Sequence, residues 1–164
     1  MKKPIENCWF FKYSAMAERL LADIDKLPGW PESTKALQLN WIGKSTGCEI
    51  DFDLDGRKLS VFTTRPDTAF GVSFVVIAPE HPLVAGFDAP GVKDYVRKAS
   101  QKSERERTIE GEKDGVFSGR FVTNPLNGQK VPLWVADYVL AHYGTGVVMG
   151  VPAHDTRDWA FAKK

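Results

Sequence analysis

Two short polar runs hold the side chains best suited to chemistry. The first is Thr63-Thr64-Arg65-Pro66-Asp67-Thr68, which follows the apolar pair Val61-Phe62. The second is Pro152-Ala153-His154-Asp155-Thr156-Arg157-Asp158, which follows "GVVMGV". Together they offer hydroxyls, a guanidinium and carboxylates. Around one pocket, such a set can orient a water and bind an amino group without a covalent nucleophile. Each run also has a plainer reading. "TTRPDT" fits a strand end and a turn centred on Pro66-Asp67, with Thr68 as a cap. Asp155 and Asp158 are three apart at a predicted helix start, where acids cap free amides and favour the macrodipole. Capping is expected of one of them.

Other chemistries fit less well. His154, Asp155 and Asp158 lie close enough in sequence to suggest a metal. No second histidine cluster completes a zinc site, so no metal is expected. His81, His142 and His154 stand in no triad motif, and His81 in "APEHPLV" reads as a loop residue. No GxxxxGK[ST] phosphate loop is present. Gly144 and Gly146 in "YGTGVVMG" read as a tight turn or a close backbone approach. Cys8 and Cys48 match no CxxC or zinc spacing, which fits a reducing compartment.

The elements that must position the polar runs follow from periodicity. Phe10, Tyr13, Ala17, Leu20, Leu21, Ile24 and Leu27 recur at helical spacing, with Ser14 as a candidate cap and Pro28-Gly29 as the stop. A second helix is predicted from about Glu32 to Gln38, with Pro31 near its start. "CEIDFDLDGRKLSVFTT" alternates around Asp55-Gly56 and predicts a hairpin. "VSFVVIAP" is a buried strand. "GVKDYVRKASQKSERERT" returns to helix, with Val92, Tyr95, Val96 and Ala99 on one face. Strands flank a turn at Asn127-Gly128, "GTGVVMGVPAHD" is a last strand, and "DTRDWAFAKK" opens a final helix. The fold class is α+β: a compact barrel-like or strongly bent sheet with peripheral helices. One domain is expected over 1–164, with a helical lead-in over 1–45 and a β-rich core over 46–164. The run Lys102 to Arg107 reads as a solvated helix end, or alternatively as a phosphate-contacting patch.

Composition narrows the class. Of 164 residues, 43% are hydrophobic and 26% charged, which favours a globular chain over a disordered one. A formal net charge of +1 argues against gripping a long duplex through many phosphates, yet permits binding of a short nucleic-acid end. No apolar run approaches the ~20 residues of a membrane helix, and no signal peptide is read at the start.

The two polar runs also carry a family resemblance. "FTTRPDTAFG" and "HYGTGVVMGVPAHDTRDWAFAKK" resemble the editing domain of leucyl-tRNA synthetase, the insertion called connective polypeptide 1. "IAPEHPLV" and "GVFSGRFVTNPLNGQKVPLWVADYVL" match its middle, and "NWIGKSTG" is similar to the lead-in of the leucyl enzyme rather than its isoleucyl and valyl relatives. The synthetic hallmarks "HIGH" and "KMSKS" are absent, so the chain looks like an editing domain without the synthetic one.

The resemblance implies hydrolysis of the ester between a wrong amino acid and the terminal adenosine of leucine tRNA. It implies that Asp158 holds the α-amino group, while Thr63, Thr64 and Arg65 line the ester and position water. Thr68 becomes the specificity gate, and Tyr143, Met149 and Val151 shape the pocket. Leu140 is expected near the adenosine, with His154 and Asp155 in the same pocket. Editing would need no cofactor, since ATP and Mg serve the synthetic domain. The implied partners are the tRNA acceptor end and the rest of the synthetase. A cytoplasmic monomer with no membrane contact is expected, weakly active alone. Gly150, where the family often has alanine, is expected to be a mild departure.

Overall fold

The computed structural model describes residues 9, 11–44, 46–103, 106–107 and 113–164. The chain divides into two compact units, Met1–Thr46 and Gly47–Lys164.

The first unit is helical. The stripe expected to form one helix is broken into a 3-10 turn at Tyr13–Met16, helix α1 at Ala17–Asp23 and a 3-10 turn at Ile24–Lys26. Ser14 lies inside the first turn instead of capping it, and Phe10 falls outside the described residues. Helix α2 runs Glu32–Ile42, past the expected end at Gln38. It stops at Gly43, whose φ of 58° is left-handed and suits glycine. Among the described residues of this unit Ile24 is the one buried hydrophobic side chain, while Trp9, Tyr13, Leu37 and Trp41 are exposed.

The second unit is built on a six-stranded sheet in the order β2-β1-β4-β5-β3-β6. Strands β1 (Cys48–Leu54) and β2 (Arg57–Thr63) form the predicted hairpin. Asp55 and Gly56 take φ of 53° and 81°, the two positive values that a tight primed turn requires. Strand β3 is Phe74–Ile77, β4 is Val116–Thr123, β5 is Lys130–Val135 and β6 is Val147–Gly150. Between β4 and β5 the chain turns at Gly128, whose N–H donates to the Asn124 carbonyl at 2.9 Å. Pairing is antiparallel except for β3 with β5. Edge strands β2 and β6 come into contact, so the sheet curls, but the strand order leaves the barrel open.

All four residues of β3 are buried, as its unbroken apolar run requires. Val75 and Ile77 join the main core with Phe52, Leu59, Val61 and Leu133. Phe74 and Val76 face a second cluster that includes Ala136, Val139 and Phe161. Helix α3 (Val92–Ala99) buries Val92 and Ala99, with Tyr95 and Val96 packed beside them. Helix α4 (Thr156–Ala162) contributes Phe161. The core thus fixes the end of β2 and the end of β6, where the two polar runs begin.

One expectation is overturned here. The run after α3 is no simple solvated helix end: Arg107 is buried, and Lys102 is paired with Asp137 at 2.5 Å. Glu104 and Arg105 lie outside the described residues. Among the described residues no helix is long and apolar enough to cross a membrane.

Candidate functional site

The first polar run is shaped by local geometry. Thr63 ends β2 buried, and its hydroxyl oxygen accepts the Arg65 N–H at 3.0 Å. Pro66 then starts a 3-10 helix over Pro66–Gly71, its ring pre-setting φ at the first helical position. Thr68 does not cap this helix. Its hydroxyl donates to the Arg65 carbonyl at 2.9 Å, and its N–H reaches the same oxygen at 3.1 Å. A β-branched side chain is already stiff at its first torsion, and this bond fixes it further. Thr68 is 6% exposed, so it presents a fixed wall.

The turn is held from beneath by a residue that motif reading missed. Asn124 is fully buried, and its side-chain amide donates to the Ala69 carbonyl at 2.8 Å. A buried amide without that partner would cost roughly 1–3 kcal/mol. In sequence, Asn124 reads only as turn chemistry before Pro125.

The second run settles which aspartate caps α4. Asp155 is the cap: its Oδ1 accepts N–H bonds from Arg157 at 2.7 Å and Asp158 at 3.3 Å. The Arg157 guanidinium also grips Asp155, at 2.8 Å to Oδ2, and holds that carboxyl below the usual range. Asp158 turns instead toward β6, where its Oδ2 accepts the Val151 N–H at 2.8 Å. Burial pushes the Asp158 carboxyl up, and the Val151 hydrogen bond offsets this only in part.

The two runs share one cavity of about 210 Å³. Thr63, Thr64, Arg65 and Thr68 line it from the first run. His154, Asp155 and Asp158 line it from the second, and Tyr143, Met149 and Val151 complete the expected wall. Leu140 does not line the cavity; it stands earlier on the Tyr143 loop, its carbonyl accepting the Tyr143 N–H at 3.1 Å. Phe62, Val148 and Arg157 line it without having been singled out for the pocket. Phe62 meets Tyr143 edge to face, with ring centroids 5.7 Å apart. Gly144 makes this possible. Its φ is 56°, and a Cβ there would come within 2.6 Å of Phe62. Arg65 forks onto Asp67 at 3.1 and 2.9 Å, with both side chains mostly exposed.

Among the described residues no three His, Cys, Asp or Glu side chains are grouped to hold a metal ion. His81 serves as a cap: its Nδ1 accepts the Leu83 N–H at 3.2 Å. At Gly150 a Cβ would come within 2.2 Å of the buried Phe74 ring, so placing alanine in this chain would require that ring to shift.

A family model described as leucyl-tRNA synthetase, editing domain, matches residues 39–164. The chain belongs to that family. Curated leucine–tRNA ligases align along it at similar levels. That of Prosthecochloris aestuarii is 54% identical over 100% of this chain and 21% of its own length. That of Trichodesmium erythraeum is 55% identical over 95% of this chain and 18% of its own. The chain therefore spans about a fifth of the length of these relatives. A solved ternary complex of Agrobacterium radiobacter K84 agnB2 LeuRS, tRNA and LeuAMS superposes with a TM-score of 0.75. It is 42% identical, covering 92% of this chain and 19% of that one. Both polar runs fall inside the editing-domain match, so the cavity is a feature of the editing domain itself.

Proposed function

We propose that this editing domain hydrolyses the ester joining a wrong amino acid, such as isoleucine or norvaline, to the end of leucine tRNA, and spares leucyl-tRNA. The observation that carries this reading is Asp158. Its carboxylate is half-buried beside the cavity, with Oδ2 committed to Val151. A desolvated carboxylate gains most from a cation brought to it, and the α-ammonium of an aminoacyl ester is that cation.

The remaining roles follow from placement around the cavity. Water adds to the acyl carbon as negative charge grows on the carbonyl oxygen. Hydroxyls of Thr63 and Thr64, with Arg65 once released from Asp67, are the donors available for that charge. The acyl–oxygen bond to ribose breaks, and the ribose oxygen takes the proton, leaving free amino acid and a free tRNA hydroxyl. Thr68 faces leucine's γ-branch with its rigid branched side chain, while linear or β-branched residues pass. Met149 and Val151 bound the amino-acid side chain. Phe62 and Tyr143 offer aromatic faces to the terminal adenosine, with Leu140 on the Tyr143 loop; His154 and Asp155 complete the rim.

The partners are the acceptor end of the tRNA and the remainder of the synthetase, in the cytoplasm, with the protein acting as a monomer. Editing here draws on no cofactor. On its own the domain should bind tRNA weakly, because tethering within the synthetase supplies effective concentration.

The test is deacylation of isoleucyl-tRNA by the full-length synthetase, wild type against Asp158→Ala. Loss of a charge-assisted anchor should slow hydrolysis by about 100-fold or more. An unchanged rate would remove Asp158 from the amino-group role and sink the reading.

A further inference from the structure

Apart from the cavity lining, a second set of charged side chains closes on itself around Arg107. Arg107 as a whole is 8% exposed. Its Nη1 and Nη2 fork onto the two Glu80 carboxylate oxygens at 2.6 and 3.1 Å. Its Nε donates to the Asp137 carbonyl at 2.6 Å, and Nη2 also reaches the Val139 carbonyl at 3.4 Å. The segment it grips is tied elsewhere too. Lys102 donates to the Asp137 carboxylate, and the Asp137 N–H donates to the Tyr95 hydroxyl at 3.1 Å.

The gripped carbonyls belong to the root of the loop that carries Tyr143. Beyond β5, the Ala136 N–H donates to the Ile77 carbonyl at 3.2 Å, and strand pairing resumes only at Val147. Between these points the chain is shaped by short turns, with the Tyr143 carbonyl accepting the Gly146 N–H at 3.0 Å, and its far end is tied where the Gly146 carbonyl accepts the Ala78 N–H at 2.9 Å. Turns of this kind set local shape and leave overall placement to whatever anchors the root. The planar fork of an arginine can serve a carboxylate and two carbonyls together, which a lysine point charge cannot.

We infer that Arg107 is a positioning residue for the editing site: it fixes the Asp137–Val139 segment and, through it, the Tyr143 wall of the cavity. This rests on the reading of that cavity as the editing site.

The test uses the full-length synthetase. Arg107→Ala should raise KM for isoleucyl-tRNA deacylation about tenfold with kcat within about twofold, and Arg107→Lys should recover only part of the loss. The double variant Arg107→Ala/Tyr143→Ala should be no worse than Tyr143→Ala alone, within about twofold; independent, multiplying losses overturn the inference. Hydrogen exchange over 137–146 should quicken by about tenfold in Arg107→Ala while β3 and β5 keep their protection. Faster exchange across the whole sheet would make Arg107 a general stabiliser and overturn the positioning role. If Arg107→Ala does not fold, Glu80→Gln makes a smaller cut in the same clamp and carries the same comparisons. A wild-type enzyme that fails to deacylate isoleucyl-tRNA would sink the functional reading alone, and the exchange experiment would still decide whether Arg107 holds the loop.

Discussion

The β-rich unit holds two polar regions of similar composition and opposite character. Around Arg107 the buried charges are matched by partners: a fork to Glu80, two backbone carbonyls, and Lys102 on Asp137. Around the cavity, Asp158 is half-buried with the Val151 N–H as its one hydrogen-bond donor among the described residues, and Arg65 pairs with an exposed neighbour, Asp67. The titration directions record the difference. Glu80 is pushed up by burial but brought net below the usual range by Arg107, whereas Asp158 ends above it. A matched cluster fixes architecture. A desolvated carboxylate with an oxygen left over is prepared for a ligand.

Four substitutions would sharpen or break this contrast. The largest effect is expected from Thr68→Ala, which opens the cavity without touching a charge. Hydrolysis of correctly charged leucyl-tRNA by the full-length enzyme should rise about 10- to 100-fold, the span of apolar shape discrimination. A wild-type rate would end the gate assignment.

Next in size is a pair of pH-dependent stability effects with opposite signs. Glu80 has a lowered folded pKa, so its contribution is present above the unfolded value and is lost as pH falls through the folded one. Glu80→Gln should therefore melt below wild type at neutral pH, with the gap closing in acid. Asp158 has a raised folded pKa, so the cost of its charge appears as pH rises through that value. Asp158→Asn should melt at or above wild type at neutral pH, again converging in acid. Thermal melts of both variants from pH 4 to 7 check this; a destabilised Asp158→Asn at neutral pH would mean the carboxylate is structural.

The smallest effect concerns the exposed Arg65–Asp67 pair. Exposed ion pairs contribute little to stability. Asp67→Ala should leave the melting temperature unchanged within error while altering deacylation, because Arg65 is then unconstrained. A clear drop in melting temperature would move this pair into the matched class.

Several features were legible without coordinates because they depend on near neighbours. Asp55-Gly56 dictated a hairpin through its positive φ values. The Asp-Thr-Arg-Asp spacing announced a helix start, and β3 announced itself by an unbroken apolar run. The two polar runs were visible as strand ends, and their pairing marked the family. Tertiary structure decided the rest, for reasons that no local spacing contains. Asp155 and Asp158 are equally plausible caps by position, and only the passage of Val151 past α4 recruits Asp158 to β6. Arg107 reads as a solvated charge until Glu80 and the Asp137 and Val139 carbonyls, distant in sequence, close around it. Gly150 looks replaceable until the Phe74 ring is seen filling the space of its missing Cβ. Sequence fixes what a side chain can do; which bonds it has left to do it with is set by the packing of strands far apart in the chain.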